Sequence, residues 1–549
     1  MLGQILKARG VVREGQIQEA LAVQRRHGGL IGQCLVELKH CTKDDVARAL
    51  AEQAGLEAVD LAKAKPEKAA LALVDATTAH TYGVLPLRVE GKTLVVAIAD
   101  ALNTAVLEDL RFTTGTDVRA VLADGEALKA LVLQHYGAEQ SLADAIAEAA
   151  RAVGGADLQQ AAASTPVVRL LNSILHRAIK DRASDVHFEV FEDEFRIRYR
   201  VDGALYEIEA PPAHLALPLV ARIKVMSDLD ITETRLPQDG RIELSIDGKP
   251  VDLRVATLPG VAGEGCVMRV LDRSAVSLDL EALGLGREDK ERLVALTRLP
   301  HGIVLVTGPT GSGKTTTLYA MLSEANQPEV KIITTEDPVE YDIQGIVQVP
   351  INEDIGVTYA RVLRTVLRQD PDKILVGEIR DQETASVAVE ASLTGHTVFS
   401  TLHTNDAPST VTRLIDMGIE PFMITATLEA IVAQRLVRTV CLDCKASYEP
   451  PEEVLLELGA DAERVRGARF HYGKGCERCY HTGYKGRTGV FEILMVDDAL
   501  SDAILARSST QELRRIAIQA GMRSLRESGL ALVLGGRTTI EEVLRETAG

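Results

Sequence analysis

Apolar positions in the first fifty residues are spaced three and four apart, as on one face of a helix. The pattern occurs twice with a constant offset, so that Gly3 corresponds to Gly32 and Leu21 to Leu50. A short repeat period of this kind indicates tandem units that share one core. Residues 1–54 are therefore predicted to form a helical tandem repeat with two helices in each unit.

The following segments mix helical and strand patterns. An apolar run after the turn at Gly91 predicts a strand inside an α+β domain at 55–137. Residues 138–163 are rich in Ala, Glu, Gln and Gly, which favours a helix followed by a flexible linker. We expect a small α+β domain at 164–280 and a larger α/β domain at 281–549.

Two stretches of the small domain, 184–190 and 195–201, alternate polar and apolar residues with the period of a strand. If the residues between them form a hairpin loop, the polar faces oppose each other as Asp185 with Arg200, His187 with Arg198 and Glu189 with Arg196. The D-x-H-x-E spacing also allows a metal site. Cross-strand charge pairing explains the same residues without a metal, and we favour it.

A glycine-rich stretch follows the apolar run Ile303–Thr307 and precedes a helical pattern. Its spacing, G-x-x-x-x-G-K-T between a strand and a helix, is that of a P-loop, whose backbone amides and helix amino terminus bind phosphate. Lys314 is expected to contact the β- and γ-phosphates, and the Thr315 hydroxyl to hold Mg²⁺. The predicted nucleotide-binding residues are Gly308, Pro309, Thr310, Gly311, Ser312, Gly313, Lys314, Thr315 and Thr316.

Acidic residues stand at the ends of two further apolar strands, Glu336 after 331–335 and Glu378 after 373–377. Ligands bind at the carboxyl ends of strands in open α/β sheets, so both should lie beside the P-loop. Hydrolysis needs one acid to orient Mg²⁺ through its waters and another to polarise the attacking water. Glu336 and Glu378 are the predicted catalytic pair. His403 follows a short strand pattern and is a candidate γ-phosphate sensor, with a structural histidine as the alternative.

Four of the seven cysteines form two C-x-x-C pairs, Cys441 with Cys444 and Cys476 with Cys479. Two such pairs match a tetrathiolate zinc site. Four thiolates leave no open position for water, so the zinc is predicted to be structural and to organise a subdomain at about 438–485. Free or redox-active thiols are the alternative.

Composition narrows these predictions. A chain of 549 residues is too long for one core. Its net charge of −18 argues against broad nucleic-acid binding, because neutralising phosphates needs a basic surface. No stretch approaches eighteen apolar residues without a charge, and the amino-terminal residues lack the apolar core of a signal peptide. We therefore expect a cytoplasmic protein without a nucleic-acid partner.

The order of these motifs resembles that of the type II secretion and type IV pilus assembly ATPases. The similarity covers residues 164–549 closely and the amino-terminal part loosely. It rests on the P-loop, on 335–340, 376–381 and 394–406, on the tetracysteine pairs, and on 183–187 and 235–241 before them. It implies a multidomain α/β protein in which a small PAS-like α+β domain precedes a RecA-like P-loop domain with a zinc-binding subdomain.

The resemblance also implies a function. Proteins of this family are cytoplasmic homohexamers, recruited peripherally to the inner membrane, that couple ATP hydrolysis to the assembly of pilin or pseudopilin fibres through a platform protein. Each active site then lies between the small domain and the RecA-like domain, where Arg235, Arg241 and Arg254 are expected to reach the phosphates. The expected cofactors are ATP, Mg²⁺ and Zn²⁺.

The tandem repeat is similar to the cyclic-di-GMP-binding repeat of some of these ATPases, whose pattern begins Arg-Leu-Gly. Met1 and Leu30 stand at the two arginine positions. The guanidinium that would pair with phosphate is therefore absent from both units. A helical bundle that packs on itself or on a partner is favoured over cyclic-di-GMP binding.

Other classes fit parts of the sequence. Retraction ATPases of the same superfamily lack the tetracysteine insertion. A DNA-handling P-loop ATPase of the conjugation or helicase type is the alternative function, but the acidic charge and the lack of aromatic runs for base stacking count against it. A nucleotide-dependent scaffold would bind ATP without turnover.

Overall fold

The computed structural model divides into two compact units, residues 1–275 and 276–549. Among the described residues, no helix combines the length and the apolar character needed to cross a bilayer. The structure describes residues 2–27, 31–54, 56–59, 61, 64–74, 76–99, 106–107, 110–111, 114–136, 142–152, 158–246, 249–272, 278–458 and 468–548.

The predicted pairs of helices at the amino terminus are confirmed. They are α1 (Leu2–Ala8), α2 (Glu14–His27), α3 (Ile31–Glu37) and α4 (Lys43–Ala54). Equivalent positions have equivalent surroundings, since Leu6 and Leu35 are both fully buried in one core. A Cβ on Gly32 would lie only 2.7 Å from Val46. The glycine therefore lets α3 and α4 touch.

A four-stranded sheet follows, in the order β1-β4-β3-β2. Its elements are β1 (Glu57–Ala58), α5 (Lys68–Leu71), α6 (Ala76–Tyr82), β2 (Val84–Glu90), β3 (Thr93–Ile98), β4 (Asp117–Leu122) and α7 (Gly125–Tyr136). In the predicted linker, α8 (Leu142–Ala152) and α9 (Leu158–Ala162) are helices, and 138–141 and 153–157 lie outside the described residues. Helix α8 buries Leu142, Ala145 and Ala149 in the core of the next domain.

That next domain is an antiparallel six-stranded sheet in the order β7-β6-β5-β10-β9-β8. Its elements are α10 (Thr165–Lys180), β5 (Asp185–Val190), β6 (Phe195–Val201), β7 (Ala204–Glu207), α11 (Ala216–Met226), β8 (Gln238–Ile246), β9 (Lys249–Pro259) and β10 (Glu264–Asp272). Helices α10 and α11 share a core with the sheet. The predicted small α+β domain therefore has one face of its sheet covered.

The register predicted for β5 and β6 is confirmed, with Asp185 opposite Arg200, His187 opposite Arg198 and Glu189 opposite Arg196. Arg198 donates to both carboxylate oxygens of Glu189. Asp185 lies 3.6 Å from the guanidinium of Arg200 and 3.1 Å from that of Arg269. Among the described residues, the group of side chains that could hold a metal ion consists of Cys441, Cys444, Cys476 and Cys479, and it includes no residue of β5. Asp185 and Glu189 both form cross-strand ion pairs, although Glu189 pairs with Arg198 and not with the directly opposite Arg196.

The second unit contains a seven-stranded sheet in the order β13-β12-β14-β15-β11-β16-β19. All neighbouring pairs are parallel except β16 with β19. Its elements up to β16 are α12 (Arg287–Thr297), β11 (Gly302–Thr307), α13 (Lys314–Ala325), β12 (Ile332–Glu336), β13 (Val347–Pro350), α14 (Tyr359–Val366), β14 (Lys373–Val376), α15 (Gln382–Leu393), β15 (Thr397–Leu402), α16 (Ala407–Asp416), α17 (Pro421–Thr427) and β16 (Leu428–Val440).

The rest of this unit is a cysteine-bearing insertion, the last strand and a group of helices. The elements are β17 (Lys445–Tyr448), α18 (Glu452–Leu458), β18 (Phe470–Gly473), β19 (Tyr484–Met495), α19 (Asp498–Leu505), α20 (Thr510–Gln519), α21 (Leu525–Leu534) and α22 (Ile540–Glu546). Two apolar cores cover the large sheet, one of which includes the carboxyl-terminal helices. The predicted multidomain α/β fold class is confirmed.

Candidate active site

The glycine-rich loop joins β11 to α13, as the sequence predicts. Every residue of β11 is buried, and the strand lies between β15 and β16. Gly308 and Gly313 have φ angles of 145° and 90°. A Cβ on Gly308 would lie 2.4 Å from the carbonyl oxygen of Gln434 on β16. The loop therefore follows a path along β16 that requires glycine.

Lys314 begins α13 and places its ammonium inside the loop. The Nζ atom donates hydrogen bonds to the carbonyl oxygens of Gly308 at 2.9 Å and Pro309 at 3.1 Å. Burial lowers the pKa of Lys314, and the negative charge of Glu378 opposes that shift. A lysine cation and a helix amino terminus thus meet at one loop, which is the arrangement that binds a polyphosphate.

Parallel strands bring the predicted motifs to one edge of the sheet. Strands β12, β14, β15 and β11 are neighbours in that order and run in the same direction. Their carboxyl ends therefore lie at the same edge, where open α/β sheets bind ligands. Glu336 ends β12, Glu378 follows β14, His403 follows β15 and the P-loop follows β11.

Glu378 lies at the centre of a charged cluster. Its carboxylate contacts Nη2 of Arg380 at 2.5 Å and Nε2 of His403 at 3.4 Å. The Glu378 side chain is only 12% exposed, whereas those of Arg380 and His403 are more than half exposed. Strand order places Lys314, Glu378 and His403 at the same edge of the sheet. Arg380 joins them without having been predicted.

Glu336 occupies a different environment. Its side chain is buried, and Oε2 accepts a hydrogen bond from the Tyr319 hydroxyl. Oε1 accepts hydrogen bonds from the Thr334 hydroxyl and from Nε2 of Gln348, the latter at 3.1 Å. Protein donors therefore occupy both carboxylate oxygens. The catalytic role of Glu336 stays a prediction.

Two of the predicted arginines belong to a row that crosses three strands of the first unit. Arg241 on β8 lies directly opposite Arg254 on β9, and Arg254 lies opposite Arg269 on β10. Arg241 forms an ion pair with Asp252. Like charges directly opposite each other are unfavourable, and the carboxylates of Asp252 and Asp185 offset the charges of Arg241 and Arg269. Arg269 was not predicted from the sequence, and the pairing of β9 with β10 places it in the row.

Arg235 precedes β8 on an exposed loop. Its guanidinium contacts Glu233 at 2.7 Å, and the arginine side chain is 86% exposed. The hydrogen bonds from Arg235 lower the pKa of Glu233 to about 2. An exposed ion pair is worth little free energy, so Arg235 can exchange Glu233 for another anion at low cost.

The four cysteines of the C-x-x-C pairs converge beside β17 and β18. Their sulfur atoms all lie within 4.8 Å of one another. Sulfur separations are 3.9 Å between Cys441 and Cys476, 3.8 Å between Cys444 and Cys479, and 3.6 Å between Cys476 and Cys479. A tetrahedral zinc with Zn–S bonds of about 2.3 Å requires sulfur separations of about 3.8 Å. The four side chains fit a zinc ion.

The backbone beside the cluster donates hydrogen bonds to one of its sulfur atoms. The Sγ atom of Cys479 accepts hydrogen bonds from the amides of Cys476 at 3.2 Å and Gly483 at 3.3 Å. Burial opposes ionisation of Cys479, but these amides together with the Cys476 and Cys444 thiols lower its pKa to about 6. Burial raises the pKa of Cys441 and of Cys444. Amide donors that stabilise a thiolate are typical of the surroundings of a metal-bound sulfur. The geometry agrees with the predicted metal ligands.

Comparison with known proteins identifies the family. Residues 160–545 match the family model described as type II/IV secretion system protein. The chain belongs to this family. Residues 54–142 in addition match the MshEN domain.

Members of the type II/IV secretion system protein family are similar over most of the chain. The type IV pilus assembly ATPase PilB of Myxococcus xanthus is 41% identical over 558 residues, covering 100% of this chain and 99% of the relative. The type II secretion system ATPase E of Vibrio cholerae is 51% identical over 391 residues, covering 71% of this chain and 77% of the relative.

Two solved structures have the same fold as the greater part of this chain. The ATPase DotB of Legionella pneumophila superposes with a TM-score of 0.51 at 22% identity, covering 69% of this chain and 95% of DotB. The DotB of Yersinia pseudotuberculosis superposes with a TM-score of 0.52 at 21% identity, covering 69% of this chain and 93% of that protein. The fold of DotB is therefore present over the greater part of the chain.

Proposed function

We propose that this protein is an ATP-hydrolysing motor for the assembly of pilin or pseudopilin fibres. One observation carries the nucleotide chemistry, which is that the P-loop with Lys314 and the Glu378–His403 pair lie at the same carboxyl edge of a parallel sheet. The type of machine follows from the relatives, one of which is named a type IV pilus assembly ATPase and another a type II secretion ATPase.

In this proposal each residue has a distinct task. Residues 308–316 bind the phosphates, with Lys314 at the β- and γ-phosphates and the Thr315 hydroxyl holding Mg²⁺. Bound Mg²⁺ neutralises charge that develops on the phosphate oxygens. Glu378 polarises the attacking water, and His403, which contacts it at 3.4 Å, links that carboxylate to the γ-phosphate. The zinc at Cys441, Cys444, Cys476 and Cys479 is structural, because four thiolates complete its coordination.

We propose that the ATPase active site also requires arginines of the small domain. Arg235, Arg241 and Arg254 would contact the phosphates in a homohexamer, and Arg269 joins this set because it continues the row. The hexamer would act at the cytoplasmic side of the inner membrane on a platform protein. These points rest on the resemblance to the secretion ATPases.

Purified protein is expected to hydrolyse MgATP, and EDTA should abolish phosphate release. The rate should be unchanged when single- or double-stranded DNA is added, since a net charge of −18 opposes phosphate-backbone binding. Phosphate release and DNA-binding titrations at several salt concentrations check both points. Strong salt-dependent DNA affinity with stimulated turnover would favour the DNA-handling alternative.

The variant Arg254→Ala is expected to lower kcat about 10²-fold, because one positioned cation is lost from the charge that develops in the transition state. Steady-state ATPase assays and thermal unfolding check this result. Arg119→Ala is the matched control, since this arginine lies on β4 in an exposed ion pair with Glu90. Equal turnover of the two variants would remove Arg254 from the site.

The absence of cyclic-di-GMP binding at the tandem repeat stays a prediction to be tested. The two positions that lack arginine, Met1 and Leu30, lie outside the described residues. We expect titration of the full chain with cyclic-di-GMP to give no binding at micromolar concentrations. Micromolar binding would overturn this expectation and assign the dinucleotide to the amino-terminal region.

A further inference from the structure

The buried carboxylate of Glu336 is the centre of a hydrogen-bond network. The Glu336 network consists of Tyr319 on α13, Thr334 and Glu336 on β12, and Gln348 on β13. Tyr319 is fully buried, and Glu336 is 4% exposed. Burial, and then the neighbouring carboxylate, raise the pKa of Tyr319, so the phenol keeps the proton that it donates. A buried carboxylate needs such donors to offset its lost hydration.

The same network holds the backbone between β12 and β13. The Tyr319 hydroxyl accepts a hydrogen bond from the amide of Glu340 at 3.3 Å. The Gln348 side chain donates to the carbonyl oxygen of Tyr341 at 2.9 Å and accepts from the amide of Ile343 at 2.8 Å. The connecting segment 337–346 is therefore fixed at three backbone groups.

Aromatic packing adds to this attachment. The rings of Tyr319 and Tyr341 meet edge to face, with centroids 6.0 Å apart. Tyr319 lies on the helix that Lys314 begins, so the network joins the P-loop helix to the connecting segment. The start of that segment lies near the charged cluster. Burial and then the charges of Glu378 and Asp337 raise the pKa of Tyr359.

We propose that Glu336 is a positioning residue that does not touch the reacting atoms. Through the Glu336 network, Tyr319 and Gln348 hold the segment 337–346, with its carboxylates Asp337 and Glu340, in place relative to the P-loop helix. Glu336 differs from Glu378 in its burial and in its neighbours, since Tyr319 and Thr334 are fully buried. Arg380 and His403, the neighbours of Glu378, are more than half exposed. This inference rests on the proposed ATP hydrolysis.

Substitution by an amide distinguishes positioning from catalysis. In Glu336→Gln the introduced amide oxygen can accept from Thr334 and Gln348, and the introduced amide nitrogen can donate to the Tyr319 hydroxyl. Thr334 and Gln348 keep their acceptor and only the Tyr319 proton loses its own, so kcat is expected to fall by less than about tenfold. Glu336→Ala leaves the donors of the network without their acceptor, and we expect kcat to fall about 30-fold.

Tyr319→Phe tests the contact with the P-loop helix. We expect kcat to fall about tenfold with little change in KM for ATP, because the P-loop itself is retained while the segment 337–346 loses one attachment. Tyr472→Phe is the matched control, since this tyrosine is 40% exposed on β18. Thermal unfolding of each variant separates loss of the fold from loss of positioning.

Steady-state ATP hydrolysis by wild type and these variants decides the proposal. The positioning role of Glu336 is supported if the wild type turns over ATP, Glu336→Gln stays active and Glu336→Ala is impaired. Tyr319→Phe should in addition keep the KM of the wild type. A Glu336→Gln variant as inactive as Glu378→Gln would overturn it and make Glu336 a catalytic residue. Full activity of Tyr319→Phe would also overturn it. Lack of turnover in the wild type would instead refute the proposed ATPase function.

Discussion

Replacing Glu378 with glutamine is expected to lower kcat for ATP hydrolysis about 10³-fold, the typical loss for a group that assists proton transfer. The amide has the same shape as the carboxylate and can still accept from Arg380, which contacts Glu378 at 2.5 Å. It cannot polarise water as a carboxylate does. ATP binding should be retained, because the P-loop and Lys314 are unchanged.

Phosphate release measures the turnover, and titration with a fluorescent ATP analogue measures the binding. Glu383→Gln is the matched control, because Glu383 is an exposed acid of the same unit that pairs with Arg364. We expect this control to turn over ATP like the wild type. Turnover of Glu378→Gln within tenfold of wild type would contradict the role assigned to Glu378.

The zinc site gives the second large effect. Zinc affinities of structural sites correspond to about 10 kcal/mol or more, and this binding energy is folding energy. The cysteines lie next to the ends of β16 and β19, since Cys441 follows Val440 and Cys479 precedes Tyr484 by five positions. The variant Cys444→Ser is therefore expected to lose the metal and to unfold the small sheet of β17 and β18.

Metal analysis of the wild type should give one zinc per chain, and the variant should give none. Hydrogen exchange over β17 and β18 should show protection only in the zinc-bound wild type, while the strands of the large sheet stay protected in both proteins. Cys41→Ser is the control, because this half-buried cysteine is in the helical repeat. A zinc-free chain that keeps protection in β17 and β18 would refute a structural metal.

The local sequence pattern was sufficient to predict much of the fold. The helix pairs of the repeat, the register of β5 with β6 and the strand–loop–helix of the P-loop depend on residues close together in sequence. The spacing of the cysteine pairs likewise indicated the cluster that the fold assembles. The sequence predicted a helix at the start of the linker, but it did not predict that this helix is buried in the core of the small domain. Composition carries no information on which distant residues a helix packs against.

The sequence by itself determined the P-loop, the acids at the strand ends and the four clustered cysteines, because each is encoded by short spacing and strand periodicity. Only the tertiary structure decided which way these groups face. Glu336 and Glu378 both stand at strand ends, yet Tyr319 and Gln348 enclose the first, whereas the second contacts Arg380 and His403. The row of Arg241, Arg254 and Arg269 likewise arises from the register of three strands, which no single segment specifies.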